Sequence, residues 1–256
     1  MYRYANNEAT KHWLLSLLGA AAFLGLWWGA SSIFVSPLLP SPAATLRQLL
    51  VLCLSNSYWI DLAWTSYRWL GGFALGCMVG APLGLAMGAS SKIFSFLSFV
   101  FDFLRSLPVT AIFPLFLLLF GIGDSSKIAM VFAGTIFTVA LNAAYGIRHS
   151  TPARVRMARA FGATRWQLTR YIQLYEAIPQ IVIGMRSTIT VALIVVVVSE
   201  MFIGTEHGIG QDIYISYQKN LIVDLYANLF VVGVLGYFSN LTLGLFERYV
   251  SSWAGQ

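Results

Sequence analysis

The chain has 256 residues, 58% of them hydrophobic and only 10% charged, with a mean hydropathy of +0.72 and a formal net charge of +6. That balance is too apolar for a soluble domain, which leaves no soluble fold to put the positive charge to work on nucleic acid. The composition defines a polytopic membrane protein, and because backbone polar groups in lipid must be satisfied internally, its apolar segments are expected to be helices.

A span needs roughly 20 mostly apolar residues to cross a bilayer core of about 30 Å, and six stretches approach that length. The first covers 13–35 and carries no charge. Arg3 and Lys11 precede it, as in a signal peptide, but its apolar run is too long for a cleaved h-region and Trp27-Trp28 has the character of an interfacial anchor, so an uncleaved helix is expected. The second, 62–89, is interrupted only by Arg68. It carries Gly72, Gly76, Gly80, Gly84 and Gly88 at four-residue intervals, with Pro82 among them. Small residues at that spacing let another helix backbone approach closely. Packing inside one subunit is the plainer reading, and a surface that slides during a transport cycle is the sharper one. The third span is expected over 99–123, with Asp102 and Arg105 forming a structural pair three residues apart. The fourth is expected over 128–147, the fifth over 178–199 and the sixth over 225–246.

Basic residues orient these spans. With the N-terminus in the cytoplasm, twelve of the sixteen Lys and Arg residues fall on the cytoplasmic side and three, Arg47, Lys127 and Lys219, outside. Arg68 is the sixteenth. That asymmetry obeys the positive-inside rule and places both termini in the cytoplasm. The outer segment 200–224 is acidic.

Between the fourth and fifth spans, residues 148–186 concentrate seven Arg residues against one acid, Glu176. Thr151-Pro152 has the form of an N-cap followed by proline at the first helical position, and Gly162 can take the left-handed backbone that ends a helix. Thr164 and Gln167 have the spacing of a capping box that opens a second helix. The apolar face of that helix, Leu168, Tyr171, Ile172 and Tyr175, is expected to lie against the membrane domain. The result is an exposed basic knuckle suited to a groove in a partner protein, with anionic lipid as the alternative contact.

The chemistry-bearing residues are otherwise sparse. Cys53 and Cys77 show no metal or redox spacing, and His12, His149 and His207 resemble interfacial or loop histidines more than a ligand set. No phosphate-binding Gly-rich loop with Lys occurs. No catalytic residue and no metal site is expected. Arg68 is expected to snorkel to the outer surface, with attraction of an anion or pairing with an acid as alternatives. Glu200 lies at the outer end of the fifth span. An ion-coupled secondary transporter would need intramembrane acids and commonly internal repeats, and no repeat is evident.

Ala158 followed by Gly162, Ile172, Leu174 and Pro179 resembles the EAA signature of permease subunits of ATP-binding-cassette (ABC) importers. Further segments resemble the nitrate, sulfonate, taurine and bicarbonate branch. These are Leu39-Pro40-Ser41-Pro42, Thr65-Ser66-Tyr67-Arg68, the run from Ser106 through Pro108 and Ala111 to Pro114-Leu115, Phe120 to Gly123 with Ser126-Lys127-Ile128, Ser199-Glu200-Met201 with Gly208 and Gly210, and Glu247-Arg248 with Trp253. Three departures stand out: Arg156 and Met157 stand where the signature has glutamate and its first alanine, and Tyr175 replaces the expected proline.

The resemblance implies a type I importer permease: an all-α membrane protein of about six transmembrane helices with a cytoplasmic coupling loop at 148–186, in the bacterial inner membrane. It implies that Arg156, Met157, Ala158, Arg159, Phe161, Gly162, Ala163, Thr164 and Arg165 meet the ATPase, and that Arg68, Pro108, Pro114 and Glu200 are pathway or gate candidates. The implied partners are two ATPase subunits, a second permease copy and an external substrate-binding protein or domain. ATP and Mg would be bound by the ATPases, and this chain would hold no cofactor. The implied cargo is a small, anionic solute, with a heterocyclic vitamin precursor as the alternative.

Overall fold

The structure is a computed structural model that describes residues 2–34, 36–150 and 152–253, with side chains over residues 15–251 of these. The expected N-cap Thr151, the end of the first span at Val35, and the side chains of Arg3, Lys11, His12 and Trp253 lie outside the described part. Every regular element among the described residues is helical: α1 (Tyr2–Ile33), α2 (Pro42–Cys53), α3 (Asn56–Ala89), α4 (Ser91–Ser106), α5 (Phe113–Phe120), α6 (Asp124–Arg148), α7 (Pro152–Ala160), α8 (Arg165–Leu168), α9 (Leu174–Ile203), α10 (Ile209–Gln218) and α11 (Ile222–Trp253). Among the described residues five helices are long and apolar enough to cross a membrane, or six if one bent pair counts as a span.

That bent pair is a correction to the third span expected over 99–123. The segment is two helices, Ser91–Ser106 and the 3-10 turn plus α5 over Val109–Phe120, inclined by 79°. Pro108 lacks an N–H and pushes its predecessor out of the helical region, and Leu107 accordingly sits at φ −71°, ψ 128°. Pro114 occupies the first turn of α5, where the missing N–H breaks no helical bond. Gly121, at φ 74°, then ends α5.

The core is built by α3, α6 and α9. Trp69 and Phe73 of α3, Met130, Val131 and Val139 of α6, and Ile189, Ala192 and Val196 of α9 are all buried in one cluster. Trp69 donates its indole N–H to the Ile189 carbonyl at 3.0 Å, so this large ring is buried without an unmet donor. The glycine ladder of α3 faces α6. A Cβ at Gly72 would come within 2.8 Å of the Ile128 carbonyl oxygen, one at Gly80 within 2.7 Å of that of Ile136, and one at Gly84 would overlap the Ala140 carbonyl. The two backbones approach as closely as they do because those side chains are absent. The ladder is therefore spent on packing inside one chain.

The first helix is held differently. Over Leu15–Ile33 no residue is fully buried, and the partly buried ones, Trp27, Gly29, Ala30 and Ser31, gather at the C-terminal end. There Trp27 donates to the Pro40 carbonyl at 3.0 Å and stacks on Tyr226 of α11. The helices run so that the α3–α4 turn and the α7–α8 hairpin share one end of the molecule, and residues 121–124 and 203–218 the other.

Candidate functional site

The hairpin end carries the densest positive charge. α7 closes with the Ala163 N–H donating to the Ala158 carbonyl at 3.0 Å and the Gly162 N–H to the Arg159 carbonyl at 2.9 Å. These are the paired bonds of a glycine-terminated helix, with Gly162 at φ 80°. Thr164 and Gln167 form the reciprocal capping box, the Gln167 side chain accepting from the Thr164 N–H at 2.8 Å. No atom lies within 4 Å of a Cβ built on Gly162, so the turn is open to a partner. Phe161 at its tip is 87% exposed, and Met157 and Trp166 are exposed beside it. Arg154 reaches across to Glu176 at 2.8 Å, while Arg156, Arg159 and Arg165 around the turn hold no ion pair among the described residues.

The second helix departs from the expected apolar face. Leu168 is buried, but Tyr171 and Tyr175 are more than half exposed. Residues Thr169–Gln173 form a π-helical turn, and its extra residue rotates the following side chains away from the face that regular helical spacing predicts.

At the opposite end, Arg68 is 3% exposed, so the expectation that it snorkels to the outer surface is overturned. Its Nε donates to Asp124 Oδ1 at 2.6 Å and its Nη1 to Glu200 Oε1 at 2.6 Å. Nη1 also meets the His207 carbonyl at 2.7 Å, and Nη2 the Thr205 hydroxyl at 2.9 Å. Glu200 is wholly buried and accepts in addition from Thr65 Oγ1 at 2.9 Å and the Gly210 N–H at 3.0 Å. Asp61 accepts from the Gly208 N–H at 3.1 Å and lies 2.9 Å from His207 Nδ1. Lys127, also buried, donates to the carbonyls of Ile122 and Gly123 and so ties off the end of α5. A buried guanidinium is tolerable only when its donors are met, and here acceptors come from α6, α9 and the segment leading into α10.

The structure thus joins two of the four pathway candidates, Arg68 and Glu200, directly. Pro108 and Pro114 lie apart from them, at the bend between α4 and α5. Asp61, Thr65, Asp124 and His207 were missed as members of the network. Their signal was present in part: Asp61, Thr65 and Arg68 follow at i, i+4 and i+7, one polar stripe on α3 that continues into the glycine face. An open cavity of about 570 Å³ borders this cluster between Trp64, Arg68, Asp124, Lys127 and His207. Among the described residues no group of His, Cys, Asp and Glu is arranged to hold a metal ion.

A multi-pass helical bundle that projects one capped, basic, glycine-tipped hairpin from one end has the build of a membrane transport subunit with a docking element. The comparisons agree. The family model for the binding-protein-dependent transport system inner membrane component matches residues 73–253, and the chain belongs to that family. It is a transport subunit, not an enzyme, of the multi-pass inner-membrane kind. The taurine transport system permease protein TauC of Escherichia coli is 29% identical over 250 residues, covering 94% of this chain and 90% of its own. The bicarbonate transport system permease protein CmpB of Synechococcus elongatus is 25% identical over 251 residues, covering 94% and 88%. Among solved structures, an inward-facing MetNI methionine ABC transporter superposes with a TM-score of 0.59 at 22% identity, covering 79% of this chain and 96% of that one. A bacterial alginate ABC transporter in complex with its periplasmic protein superposes at 0.55 and 17% identity, covering 97% and 93%. The fold is that of the type I ABC importer permeases.

Proposed function

We propose that this chain forms the translocation pathway for a small organic or inorganic oxyanion, of the sulfonate or bicarbonate type, and couples it to ATP hydrolysis by separate ATPase subunits through the hairpin centred on Gly162. The observation that carries the coupling is the hairpin itself: an open turn, Schellman-closed and capping-box-opened, with an exposed Phe161 tip and with Arg156, Arg159 and Arg165 outside any ion pair among the described residues. The substrate class rests on the taurine and bicarbonate relatives. Two copies of this chain with two ATPases make the economical assembly, served from outside by a binding protein or domain. ATP and Mg belong to the ATPases. The hairpin faces the cytoplasm, as do both termini, in keeping with the basic bias of that side. Mechanically, closure of the ATPase pair draws the two hairpins together and rocks the bundles from inward- to outward-open.

The test is ATP-driven uptake of radiolabelled taurine and bicarbonate into vesicles holding the complete complex. Valine is a genuine outlier at the φ of 80° that Gly162 adopts, while open space around the site spares the core. Gly162→Val is therefore expected to reach the membrane in normal amount and to hydrolyse ATP without uptake. Wild-type uptake by that variant, or uptake that survives ATP depletion under a held ion gradient, would refute the coupling.

A further inference from the structure

At the hairpin end lies a cavity of about 630 Å³ between the α3–α4 turn and the α7–α9 segment, in the range of small-ligand pockets. Lys92 comes from one wall, and Arg159 and Arg165 from the other. No carboxylate lines it, and none of the three cations has an ion-pair partner among the described residues. Three other arginines do hold an acid: Arg105 pairs with Asp102, Arg154 with Glu176 and Arg186 with Glu247. Gathering three like charges around one concavity raises the energy of the empty state, and an anion placed among them relieves it.

The neutral groups fit the same guest. Ser91 and Lys92 lie in the first turn of α4, a helix of 16 residues whose N-terminal dipole end is positive. On the facing wall, the Thr169 hydroxyl is 3.0 Å from Gln173 Oε1 and occupies that acceptor. The Gln173 amide N–H groups are left to donate. The volume exceeds what a bare ion fills and leaves room for the organic part of a phosphate ester.

We propose that this cavity is a binding site for a phosphate-type oxyanion, either an anionic lipid headgroup or a free phosphate compound, which clamps the coupling hairpin to the α3–α4 turn. The site is distinct from the exposed tip at Phe161. Its occupant would link two segments that otherwise repel, so hairpin mobility would depend on the supply of phosphate anions.

The experiment uses the purified full chain without ATPase subunits, so that loss of this site and loss of the transport reading are separately visible. It is placed in nanodiscs of phosphatidylcholine alone or of phosphatidylcholine mixed with phosphatidylglycerol. Inorganic phosphate is titrated at constant ionic strength, with thermal unfolding and hydrogen exchange over 152–173 as readouts. Native mass spectrometry counts retained phosphatidylglycerol. Saturable protection by phosphate in phosphatidylcholine assigns a free compound, and retained phosphatidylglycerol without a phosphate response assigns a lipid. In either case Lys92→Gln and Arg165→Gln are expected to weaken binding about tenfold, Lys92→Arg to retain it, and Arg47→Gln, at the other end, to leave it unchanged. No response to either probe, equal responses in all variants, or a response only to an acidic peptide would overturn the proposal.

Discussion

Arg68 binds three other parts of the chain at once, and the value of that arrangement lies in what its removal leaves behind. Without the guanidinium, Glu200 remains fully buried with only the Thr65 hydroxyl and the Gly210 N–H as donors. Leaving one partner of a buried pair uncompensated costs about 3–5 kcal/mol, whereas replacing both by apolar groups of similar volume is often close to neutral. Arg68→Ala is therefore expected to lower the thermal midpoint and the amount of protein in the membrane, with Arg68→Met combined with Glu200→Met recovering part of the loss. A wild-type midpoint for Arg68→Ala in a detergent melt would remove the anchoring role. Asp212 of α10 tests the same region by pH. Burial, followed by the nearby charges of Asp61 and Glu200 and partly offset by His207, pushes its carboxyl from 3.8 up to about 6. The folded state thus holds a proton that the unfolded state releases near pH 4, so this contribution to stability is full at low pH and lost as pH rises through about 6. Protection factors in 209–218, taken relative to the intrinsic exchange rate at each pH, should be higher at about pH 5 than at about pH 7, and Asp212→Asn should flatten the difference. A pH-independent profile for both proteins would contradict it.

Glycine decides how the elements meet. A Cβ at Gly84 would overlap the Ala140 carbonyl, whereas one at Gly71, on the same helix, meets nothing within 4 Å. Gly84→Ala should destabilise by about 1–3 kcal/mol through forced separation of α3 and α6. Gly71→Ala should be neutral or slightly stabilising, because alanine is the better helix former. Equal melting of the two variants would mean that the ladder does not set the helix spacing. The ladder and the hairpin were legible in the sequence because each is local: the first is a four-residue period, the second a run of cap residues around Gly162. The bend at Pro108 was only half legible. Proline marks a break, but composition gave no angle, and the apolar run on either side read as one span. The partners of Arg68 were illegible for a different reason. Hydrophobic periodicity reports which face of α3 is polar, and says nothing of a carboxylate on α9 that folding brings to 2.6 Å. The π turn at Thr169–Gln173 left no recognised trace, so the exposure of Tyr171 and Tyr175 came only with the structure.

On the scale of the whole molecule, the two charged regions divide the work. The buried network at one end ties α3, α6 and α9 to the segment entering α10. The basic hairpin at the other end stands clear of those helices, tied to them by Arg154 and Glu176 and by the buried Leu168. A rigid bundle with an exposed handle is what alternating access requires, since force applied at the handle must reach the far end without dissipating in loose packing. Arg156 in place of the signature acid reverses one charge on that handle, so under the proposed coupling an ATPase docked there should present acidic groups. The most direct test of the central claim is purification of the tagged chain from its native membrane in a gentle detergent, with partners identified and counted by mass spectrometry. The account predicts an ATPase subunit at one copy per permease, bound less well by Phe161→Ala. A stable oligomer that carries no ATPase, under conditions in which other importers stay whole, would contradict it.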